Sequence, residues 1–403
     1  MPNLVSNDKP KAVMVTSRLP FPRDSGFAHK NFHLICTLME TYSVTLVVID
    51  RYEPDPEDFR KSEHLVDSLI FLRSPQKLSL IFELLRCFLF GLPLQFAFFN
   101  SSQLRKVFQK EAQKASLVVG SVARIWPTIQ KFGGDIFVDA ADSLSVIFKN
   151  NAAKHSNFWG RLYYRWELIW IRGVEHSMVA RSRAVCVFNA KEAEFLQQFG
   201  TGVSLIQHGV GEEFLNSSQT ERLSEYRNDI VIFGKMNFLP NVDAVLWFAN
   251  KVLPKLPFSI RLVAMGSSPS DKLLEFSKTN PRLVVTGFVE DPAPILFSAL
   301  ASIAPVKLGG GIQNKVIESL AAGARVIVSE QVMRSMPNCE ESGAMVCRSE
   351  KDWHDQIVAL YEQDAWGDDE LNLGRGYVRR HFSWQAYQKS LRGILKEIRE
   401  KND

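Results

Sequence analysis

Short runs of apolar, often β-branched residues alternate with helical patterns along the chain, and this alternation most constrains the fold. In the first half the runs are KAVMVTS (11–17), SVTLVVI (43–49), LVVG (117–120), IFVDA (136–140) and AVCVFN (184–189). Helical patterns such as 29–40 and 102–115 lie between them. Because parallel strands need a crossover connection, usually a helix, the alternation predicts βαβ units around buried parallel strands.

A second series of the same kind begins near residue 229. Its runs are DIVIFG (229–234), IRLVAMG (260–266), RLVVTGF (282–288), ASIAPV (301–306) and ARVIVS (324–329). At 403 residues the chain is too long for a single ordinary core. We therefore predict an α/β protein of two doubly wound, Rossmann-like domains, 1–220 and 221–383, joined in the polar stretch 215–229.

Charge, cysteines and the absence of certain motifs exclude several classes. The formal charge is only +4, which does not suggest a nucleic-acid partner. The five cysteines have no zinc-like or redox spacing, and neither HExxH nor G-x-S-x-G occurs, so we expect no metal and no Ser-His-Asp hydrolase. Scattered cysteines and a polar beginning without a signal-peptide pattern favour the cytoplasm.

The most apolar segment is LSLIFELLRCFLFGLPLQFAFF (78–99). Glu83, Arg86 and Pro93 interrupt it, so it does not offer the roughly 20 uninterrupted apolar residues that span a membrane. The segment predicts a buried helix followed by an extended stretch. A helix lying on a membrane surface is the alternative.

A second unusual segment, 148–183, has seven Lys and Arg against two Glu, with several Trp and Tyr. One interpretation is a long helix packed through Trp166 and Trp170 with a solvated basic face. The other is a surface that meets an anionic, lipid-linked acceptor at the cytoplasmic leaflet.

In doubly wound folds, ligands bind beyond the carboxyl ends of the strands. LGGGIQNKVIESLAAG (308–323) follows such a strand and joins a flexible turn to a helix start, whose partial positive charge suits a diphosphate. Lys315 adds a full charge, and Glu318 on the same face can accept hydrogen bonds from ribose hydroxyls. The stretch predicts a nucleotide site, with an ordinary glycine-rich turn as the alternative.

Three other loops after strands carry glycines, cations or carboxylates: Gly234 and Lys235 in 233–241, Gly26, His29 and Lys30 in 18–34, and Asp139 and Asp142 in 138–145. We expect Gly26, His29 and Lys30 to face the cleft between the two halves. Structural alternatives are a loop lysine at 235, a helix-surface histidine at 29 and an aspartate that caps the next helix.

The segments FGKMNFLPNVDAVLWFANKVLP, VVTGFVEDPAPIL and APVKLGGGIQNKVIESLAAGARVIVS together resemble the donor domain of GT-B glycosyltransferases of the family 4-like, bacterial polysaccharide group. RLPFPRDSGFAHKNFHLICTLMETYSVTLVV and LLRCFLFGLPLQFAFFNSSQLRKVF resemble the first domain of that group. The resemblance implies two Rossmann-like domains facing a central cleft. GYVRRHFSWQAYQKSL is similar to a C-terminal segment that returns to the first domain, here a helix at about 384–403.

The resemblance also implies residue roles around a nucleotide-sugar donor. Lys235 and Lys315 would contact the diphosphate, and Glu318, the second glutamate of a Glu-x7-Glu motif, would hold the ribose. The remaining donor-binding positions it implies are Gly26 and Gly234 in the loops, Phe288 and Val289 at the base, and Gly310, Gly311, Ile312, Gln313 and Asn314 along the sugar and phosphates.

The chain departs from that family pattern at two places. Gly310 stands where the first glutamate of the motif contacts the donor sugar, and Asp139 or Asp142 stands where many members have a histidine. Asp142 is the candidate for positioning the sugar or acceptor. Gly310 leaves open the alternative of an inactive GT-B scaffold. A Rossmann oxidoreductase is disfavoured, because this chain has no G-x-G-x-x-G motif after its first strand.

The resemblance therefore predicts a retaining, metal-independent glycosyltransferase without a cofactor. Two lysines and a helix start would stabilise the charge of the departing nucleoside diphosphate. The acceptor would be a hydroxyl of a glycan or lipid-linked molecule in cell-surface polysaccharide or glycoconjugate synthesis. We expect a cytoplasmic protein with peripheral contact to the inner face of the plasma membrane as an open alternative.

Overall fold

The structure, a computed structural model, describes residues 9–23, 25–154, 157–215, 222–306, 313–363 and 368–400. Backbone contacts divide the chain into two compact units: unit 1, Met1–His208 with Tyr387–Asp403, and unit 2, Gly209–Ala386. The domain boundaries predicted from the sequence, after residues 220 and 383, stay predictions.

Unit 1 contains a seven-stranded parallel sheet in the order β3-β2-β1-β4-β5-β6-β7. Its strands are β1 (Lys11–Thr16), β2 (Ser43–Asp50), β3 (Ser68–Arg73), β4 (Leu117–Gly120), β5 (Asp135–Ala141), β6 (Ala184–Val187) and β7 (Val203–Leu205). The order reverses at β1, where Val13 lies between Thr45 of β2 and Val118 of β4. This reversal is the position at which doubly wound sheets open a crevice for ligands.

The helices of unit 1 cover the two faces of this sheet. They are α1 (Gly26–Thr41), α2 (Pro56–Leu65), α3 (Lys77–Leu89), α4 (Ser102–Ala112), α5 (Trp126–Ile129), α6 (Leu144–Lys154), α7 (Phe158–Arg181) and α8 (Ala190–Gln197), with a 3-10 helix Leu94–Phe99 after α3. The described core is built from strand residues such as Val15, Val47 and Val118, together with Trp126 and Ile171 from the helices.

Unit 2 contains a six-stranded parallel sheet in the order β10-β9-β8-β11-β12-β13. Its strands are β8 (Asp229–Phe233), β9 (Arg261–Met265), β10 (Leu283–Gly287), β11 (Ala301–Ala304), β12 (Val326–Ser329) and β13 (Met345–Cys347). The order reverses at β8, which pairs with both β9 and β11. Unit 2 therefore repeats the doubly wound arrangement of unit 1.

The helices of this half, in chain order, are α9 (Glu212–Leu215), α10 (Leu239–Lys251), α11 (Asp271–Thr279), α12 (Ala293–Ser298), α13 (Asn314–Ala322), α14 (Glu330–Met333), α15 (Glu350–Glu362), α16 (Asp368–His381) and α17 (Trp384–Glu400). Two cores, one on each face of the sheet, surround β8: Val231 faces one of them and Ile232 the other. Most of α17 belongs to unit 1. None of the described helices is both long and apolar enough to cross a membrane.

The α/β class, the alternation and the ten predicted strands are confirmed. The apolar segment 78–99 is different from its prediction. It forms a helix, α3, but six of the large apolar side chains of α3 are exposed, and the following stretch is a 3-10 helix rather than an extended one. The prediction of a buried helix was wrong because α3 turns Glu83 and Cys87 toward the protein and leaves its wider apolar side exposed.

Candidate functional site

In unit 2, glycines bring the backbone of neighbouring strand ends close together. Gly234 follows β8 with φ +134°, and its N–H donates to the carbonyl of Met265 at 2.9 Å. Gly266 follows β9 with φ +145°, and its N–H donates to the carbonyl of Gly287 at 3.0 Å. A Cβ atom on Gly266 would lie 1.9 Å from the carbonyl oxygen of Gly234, so only glycine fits.

Asn241 links the two predicted phosphate lysines. Its Nδ2 donates to the backbone carbonyl of Lys235 at 2.9 Å, and its Oδ1 accepts from Nζ of Lys315 at 2.5 Å. Lys235 itself lies in the loop after β8 and is exposed. The structure thus connects the loop after β8 with Lys315 through Asn241, which lies 74 positions before Lys315 in the chain. The roles predicted for the two lysine side chains stay predictions.

Lys315 lies in the first turn of α13 and is only 8% exposed. Its side chain runs beside Gly234, where an added Cβ atom would lie 3.7 Å from Cδ of Lys315. Among the described residues no carboxylate forms an ion pair with its ammonium group, and burial lowers the pKa of Lys315 to about 8. An ammonium group that is buried with one neutral partner is in a costly environment, which a bound anion would relieve.

Glu318 lies one turn further along α13. Burial raises the pKa of its carboxyl group to about 7, and the nearby negative charge of Glu213 adds to this shift. Glu213 belongs to the short helix α9, and its carboxylate packs against Gly211 so closely that a Cβ there would lie 2.1 Å from Oε1. One face of α13 therefore presents a cation and a carboxylate that both titrate near neutral pH.

The rest of the predicted donor loop is described only in part. Gly310, Gly311 and Ile312 lie outside the described residues. Gln313 is the N-cap of α13, but its side chain forms no capping hydrogen bond with the first turn, and Asn314 is the exposed first residue of the helix.

The predicted base-binding positions follow β10. Gly287 has φ +71° and turns the chain out of the sheet. Phe288 is 76% exposed, whereas Val289 is partly buried against the core of unit 2. Phe288 thus presents an aromatic side chain to solvent beyond the carboxyl end of β10.

Unit 1 has a cavity of about 910 Å³ at the carboxyl ends of its strands. Residues after β1, β2, β4 and β5 line it, including Arg18, Arg51 and Arg124. Asp142 lines the same cavity, directly after Ala141, which has the left-handed φ of +65°. Desolvation by the surrounding walls raises the pKa of Asp142, although the charges of nearby basic groups oppose this shift.

In the loop after β1 the donor-binding role of Gly26 stays a prediction, whereas the prediction for Lys30 does not hold. Gly26 is the exposed first residue of α1, and a Cβ atom there would meet nothing within 4 Å, so packing does not demand glycine. The prediction that Lys30 faces a ligand cleft is wrong. Lys30 is buried, donates to the carbonyl of Ser121 at 2.9 Å and lies 3.5 Å from Oδ1 of Asp139.

Asp139 is part of this internal ion pair and not of the cavity wall. Its Oδ2 accepts a hydrogen bond at 2.9 Å from the hydroxyl of Tyr387, which belongs to α17. Of the two candidate aspartates, Asp139 lies within β5, and Asp142, which follows β5, lines the cavity. Side chains in a strand alternate between faces, but the sequence did not show which aspartate would meet the buried lysine.

Residues 227–363 match the family model of Glycosyl transferases group 1, so the match includes β8 to α15 and both lysines. This part of unit 2 is therefore similar to group 1 glycosyl transferases. No curated protein matches the sequence.

Three solved structures extend the similarity to nearly the whole chain. HepE from Anabaena, in complex with UDP, has a TM-score of 0.64 at 9% identity, with 96% of this chain and 100% of that chain covered. Sucrose-phosphate synthase from Thermosynechococcus elongatus has a TM-score of 0.63 at 15% identity, with 97% of this chain and 100% of that chain covered. WaaG, a glycosyltransferase of lipopolysaccharide biosynthesis, has a TM-score of 0.62 at 12% identity, with 95% of this chain and 99% of that chain covered.

These neighbours share the GT-B fold, and the chain has it too. The group 1 domain and the GT-B fold are those of glycosyltransferases, which confirms the family resemblance and the enzyme class predicted from the sequence. Asn241, Gly266 and Glu213 are site residues that the sequence-based prediction missed. FGKMNFLPN contains Asn241, but nothing in that stretch indicates its contact with Lys315.

Proposed function

We propose that the protein transfers a sugar, with retention at the anomeric carbon and without a metal, from a nucleoside-diphosphate sugar to a hydroxyl group. The observation that carries the proposal is the buried ammonium group of Lys315 beside the glycine loop at Gly234, with no carboxylate partner among the described residues. A diphosphate at this place would supply the missing negative charge. The complex of HepE with UDP supports this class of donor.

The proposed chemistry follows from charge. As the bond between the anomeric carbon and the diphosphate breaks, negative charge builds up on the leaving oxygen. Lys315, Lys235 and the start of α13 would stabilise that charge from fixed positions, so no metal is needed in this proposal. Glu318 would hold the ribose, and retention rests on the resemblance to family 4-like enzymes.

The acceptor is proposed to be a glycan or a lipid-linked molecule of cell-surface polysaccharide or glycoconjugate synthesis. WaaG acts in lipopolysaccharide biosynthesis, which supports an acceptor of this class. The cavity of unit 1, with Asp142 and three arginines, offers polar and cationic groups to such a molecule. Peripheral contact with the inner face of the plasma membrane is part of the proposal. An inactive GT-B scaffold, suggested by Gly310, is the alternative.

Replacing Lys315 by Met tests the proposal, because Met keeps much of the volume and removes the charge. We expect the affinity for the preferred donor among UDP-, GDP- and ADP-sugars to fall by at least tenfold, as for one lost charge-assisted contact. The melting temperature of the ligand-free protein should not fall. At pH 7 the charged form of a lysine with a pKa near 8 costs about 3 kcal/mol of stability, relative to its ordinary pKa.

Lys278→Met, at an exposed position near the end of α11, is the matched control and should leave donor affinity unchanged. Calorimetric titration and turnover with the wild type separate the alternatives. Donor binding without turnover on any lipid-linked or glycan acceptor supports the scaffold. If no nucleotide sugar binds, or if Lys315→Met binds the donor as tightly as the wild type, the proposal is wrong.

A further inference from the structure

Helix α3 turns its apolar face away from the protein. Leu78, Ile81, Phe82, Leu85, Phe88 and Leu89 recur at the spacing of one helix face, and all are exposed, Leu78 at 82% and Leu89 at 69%. This spacing normally places a helix against a core. Here six large apolar side chains in four turns face solvent instead.

The inner face of α3 explains why the helix does not rotate. Glu83 is 2% exposed, and its two carboxylate oxygens accept hydrogen bonds at 3.0 and 2.8 Å from the guanidinium group of Arg105 on α4. Cys87, one turn later, is fully buried. A rotation that buried the apolar face would bring Glu83 to the surface and leave its ion pair with Arg105 broken. The orientation is therefore fixed by specific contacts.

Helix α7 extends the apolar surface of α3. The ring of Phe88 stacks on that of Trp166, with centroids 6.4 Å apart, and a Cβ on Gly91 would lie 2.6 Å from the ring of Trp170. On the same side of α7 as Trp166, the exposed residues Trp159, Leu162, Tyr163 and Ile169 continue the surface. We call the outward residues 78–89 of α3 and 158–170 of α7 the apolar face of unit 1.

A row of cations borders this face. Arg161, Arg165 and Arg172 are exposed and lie four and seven residues apart, so they follow one side of α7. Among the described residues 77–90 and 157–181 the carboxylates are Glu83, Glu167 and Glu175, and all three are buried. The outer surface of α3 and α7 therefore combines large apolar and aromatic side chains with positive charge and has no exposed negative charge.

We infer that the apolar face of unit 1 inserts into a bilayer that contains anionic lipids, with the arginine row at the level of the phosphates. An interfacial helix has this pattern: its apolar and aromatic side chains enter the acyl region, and its arginines lie beside the lipid headgroups. A second copy of the chain fits less well. Its own apolar face would bring a second arginine row without carboxylates to balance it.

The inference rests on the proposed function in one respect: it names the surface of the peripheral membrane contact and the lipid chemistry that surface recognises. The 3-10 helix Leu94–Phe99, directly after α3, contributes Gln95, Phe98 and Phe99 to the wall of the cavity in unit 1. Insertion of α3 would place this wall close to the bilayer surface. A lipid-linked acceptor would then reach the cavity while its lipid stays in the membrane.

Flotation of the full-length protein with extruded vesicles tests the inference. The wild type should bind vesicles that contain phosphatidylglycerol in phosphatidylcholine. A triple variant, Leu78→Gln, Phe82→Gln and Leu89→Gln, should bind at least tenfold more weakly, because three apolar side chains no longer leave water. The control removes three other exposed apolar side chains, Leu205→Gln, Phe258→Gln and Leu274→Gln, and should bind like the wild type.

A second triple variant tests the charge. Arg161→Gln, Arg165→Gln and Arg172→Gln together should weaken binding to anionic vesicles by roughly a hundredfold at low salt, about fivefold for each cation. The control is Lys61→Gln, Lys110→Gln and Lys396→Gln, which removes three exposed cations elsewhere in the chain. On pure phosphatidylcholine the arginine variant and its control should be equal.

Tryptophan fluorescence of the wild type measures insertion without relying on the triple variants. Brominated lipids should quench its tryptophan emission, and Trp159→Phe, at a 71% exposed position, should reduce the quenching. The inference is overturned if the wild type does not bind anionic vesicles, or if the apolar variant binds as well as its control. It is also overturned if sedimentation shows a dimer that the apolar variant loses. Donor affinity measured without vesicles reports separately on the proposed function.

Discussion

At the scale of single residues, the site in unit 2 contains ionisable groups whose pKa values are displaced toward neutrality. Burial lowers the pKa of Lys315 to about 8 and raises that of Glu318 to about 7. Both shifts mean that the charged form is unfavourable in the ligand-free protein. Such groups cluster at functional sites because a ligand can supply the hydrogen bonds and charges that are missing.

The position of Glu213 gives a prediction for the pH dependence of donor binding. If Glu318 holds the ribose as proposed, its ionised carboxylate would accept hydrogen bonds from ribose hydroxyls, so we expect donor affinity to rise as pH increases through about 7. Above about pH 8 the affinity should fall again, because Lys315 loses its proton. Because the charge of Glu213 raises the pKa of Glu318, Glu213→Gln should move this midpoint to lower pH. The move should be only part of the full shift, since burial is the larger cause.

Titration calorimetry with UDP between about pH 5.5 and 8.5 measures the midpoint in each variant. Glu212→Gln, at the neighbouring exposed position of α9, is the control and should leave the midpoint unchanged. An identical midpoint in the wild type and in Glu213→Gln would show that Glu318 does not act through its ionised carboxylate.

At the scale of elements, the sequence indicates buried strands better than exposed ones. All ten predicted strands occur, whereas β3, β7 and β13 were missed. These three are edge strands of their sheets and are only partly buried. A strand that is buried on both faces shows a continuous apolar run, but an edge strand does not need one. The missed strands are therefore those with the weakest pattern.

Helix α3 shows a second limit of sequence patterns. The apolar spacing of 78–89 predicts a helix with one apolar face, and that helix forms. Which side of α3 faces the protein depends on Arg105, which lies 22 residues from Glu83 in the chain. The ion pair between Arg105 and Glu83 keeps the side that carries Glu83 turned inward. The link between Lys235 and Lys315 through Asn241 is non-local in the same way. Local patterns specify each element, and contacts between distant segments decide its orientation.

The packing between two loops gives a prediction for Gly266. The loop after β8 and the loop after β9 come into contact at the Cα atom of this glycine. In Gly266→Ala the new Cβ would lie 1.9 Å from the carbonyl oxygen of Gly234, and φ +145° is itself strained for alanine. We expect a loss of at least about 2 to 3 kcal/mol in the free energy of unfolding, or a displaced glycine loop with weaker donor binding.

The control for Gly266→Ala is Gly393→Ala in α17, where a Cβ would meet nothing within 4 Å. This substitution should stabilise the protein by up to about 1 kcal/mol, because alanine is the better helix former. Denaturant unfolding and UDP titration of both variants check the prediction. A Gly266→Ala protein with wild-type stability and wild-type UDP affinity would contradict it.

At the scale of the whole molecule, helix α17 joins unit 1 through a buried and an exposed polar contact, in addition to its buried apolar side chains. The hydroxyl of Tyr387 donates to Asp139, which also pairs with Lys30 of α1. Further along α17, the guanidinium group of Arg392 forms two hydrogen bonds with Glu40, and both side chains are about half exposed. Most of α17 therefore belongs to the same compact unit as β1 to β7.

The buried contact should contribute more to the stability of unit 1 than the exposed contact does. Tyr387→Phe leaves an oxygen of the buried Asp139 without its donor, which costs roughly 1 to 3 kcal/mol, whereas an exposed ion pair contributes about 0 to 1 kcal/mol. Amide hydrogen exchange resolves the effect by unit, and we expect faster exchange in β1, β5 and α1 with β8 and β9 unchanged. Arg392→Gln, on the same helix, is the control and should alter exchange little. Equal effects of the two substitutions, or faster exchange in β8 and β9, would show that the hydrogen bond to Asp139 does not fasten α17 to unit 1.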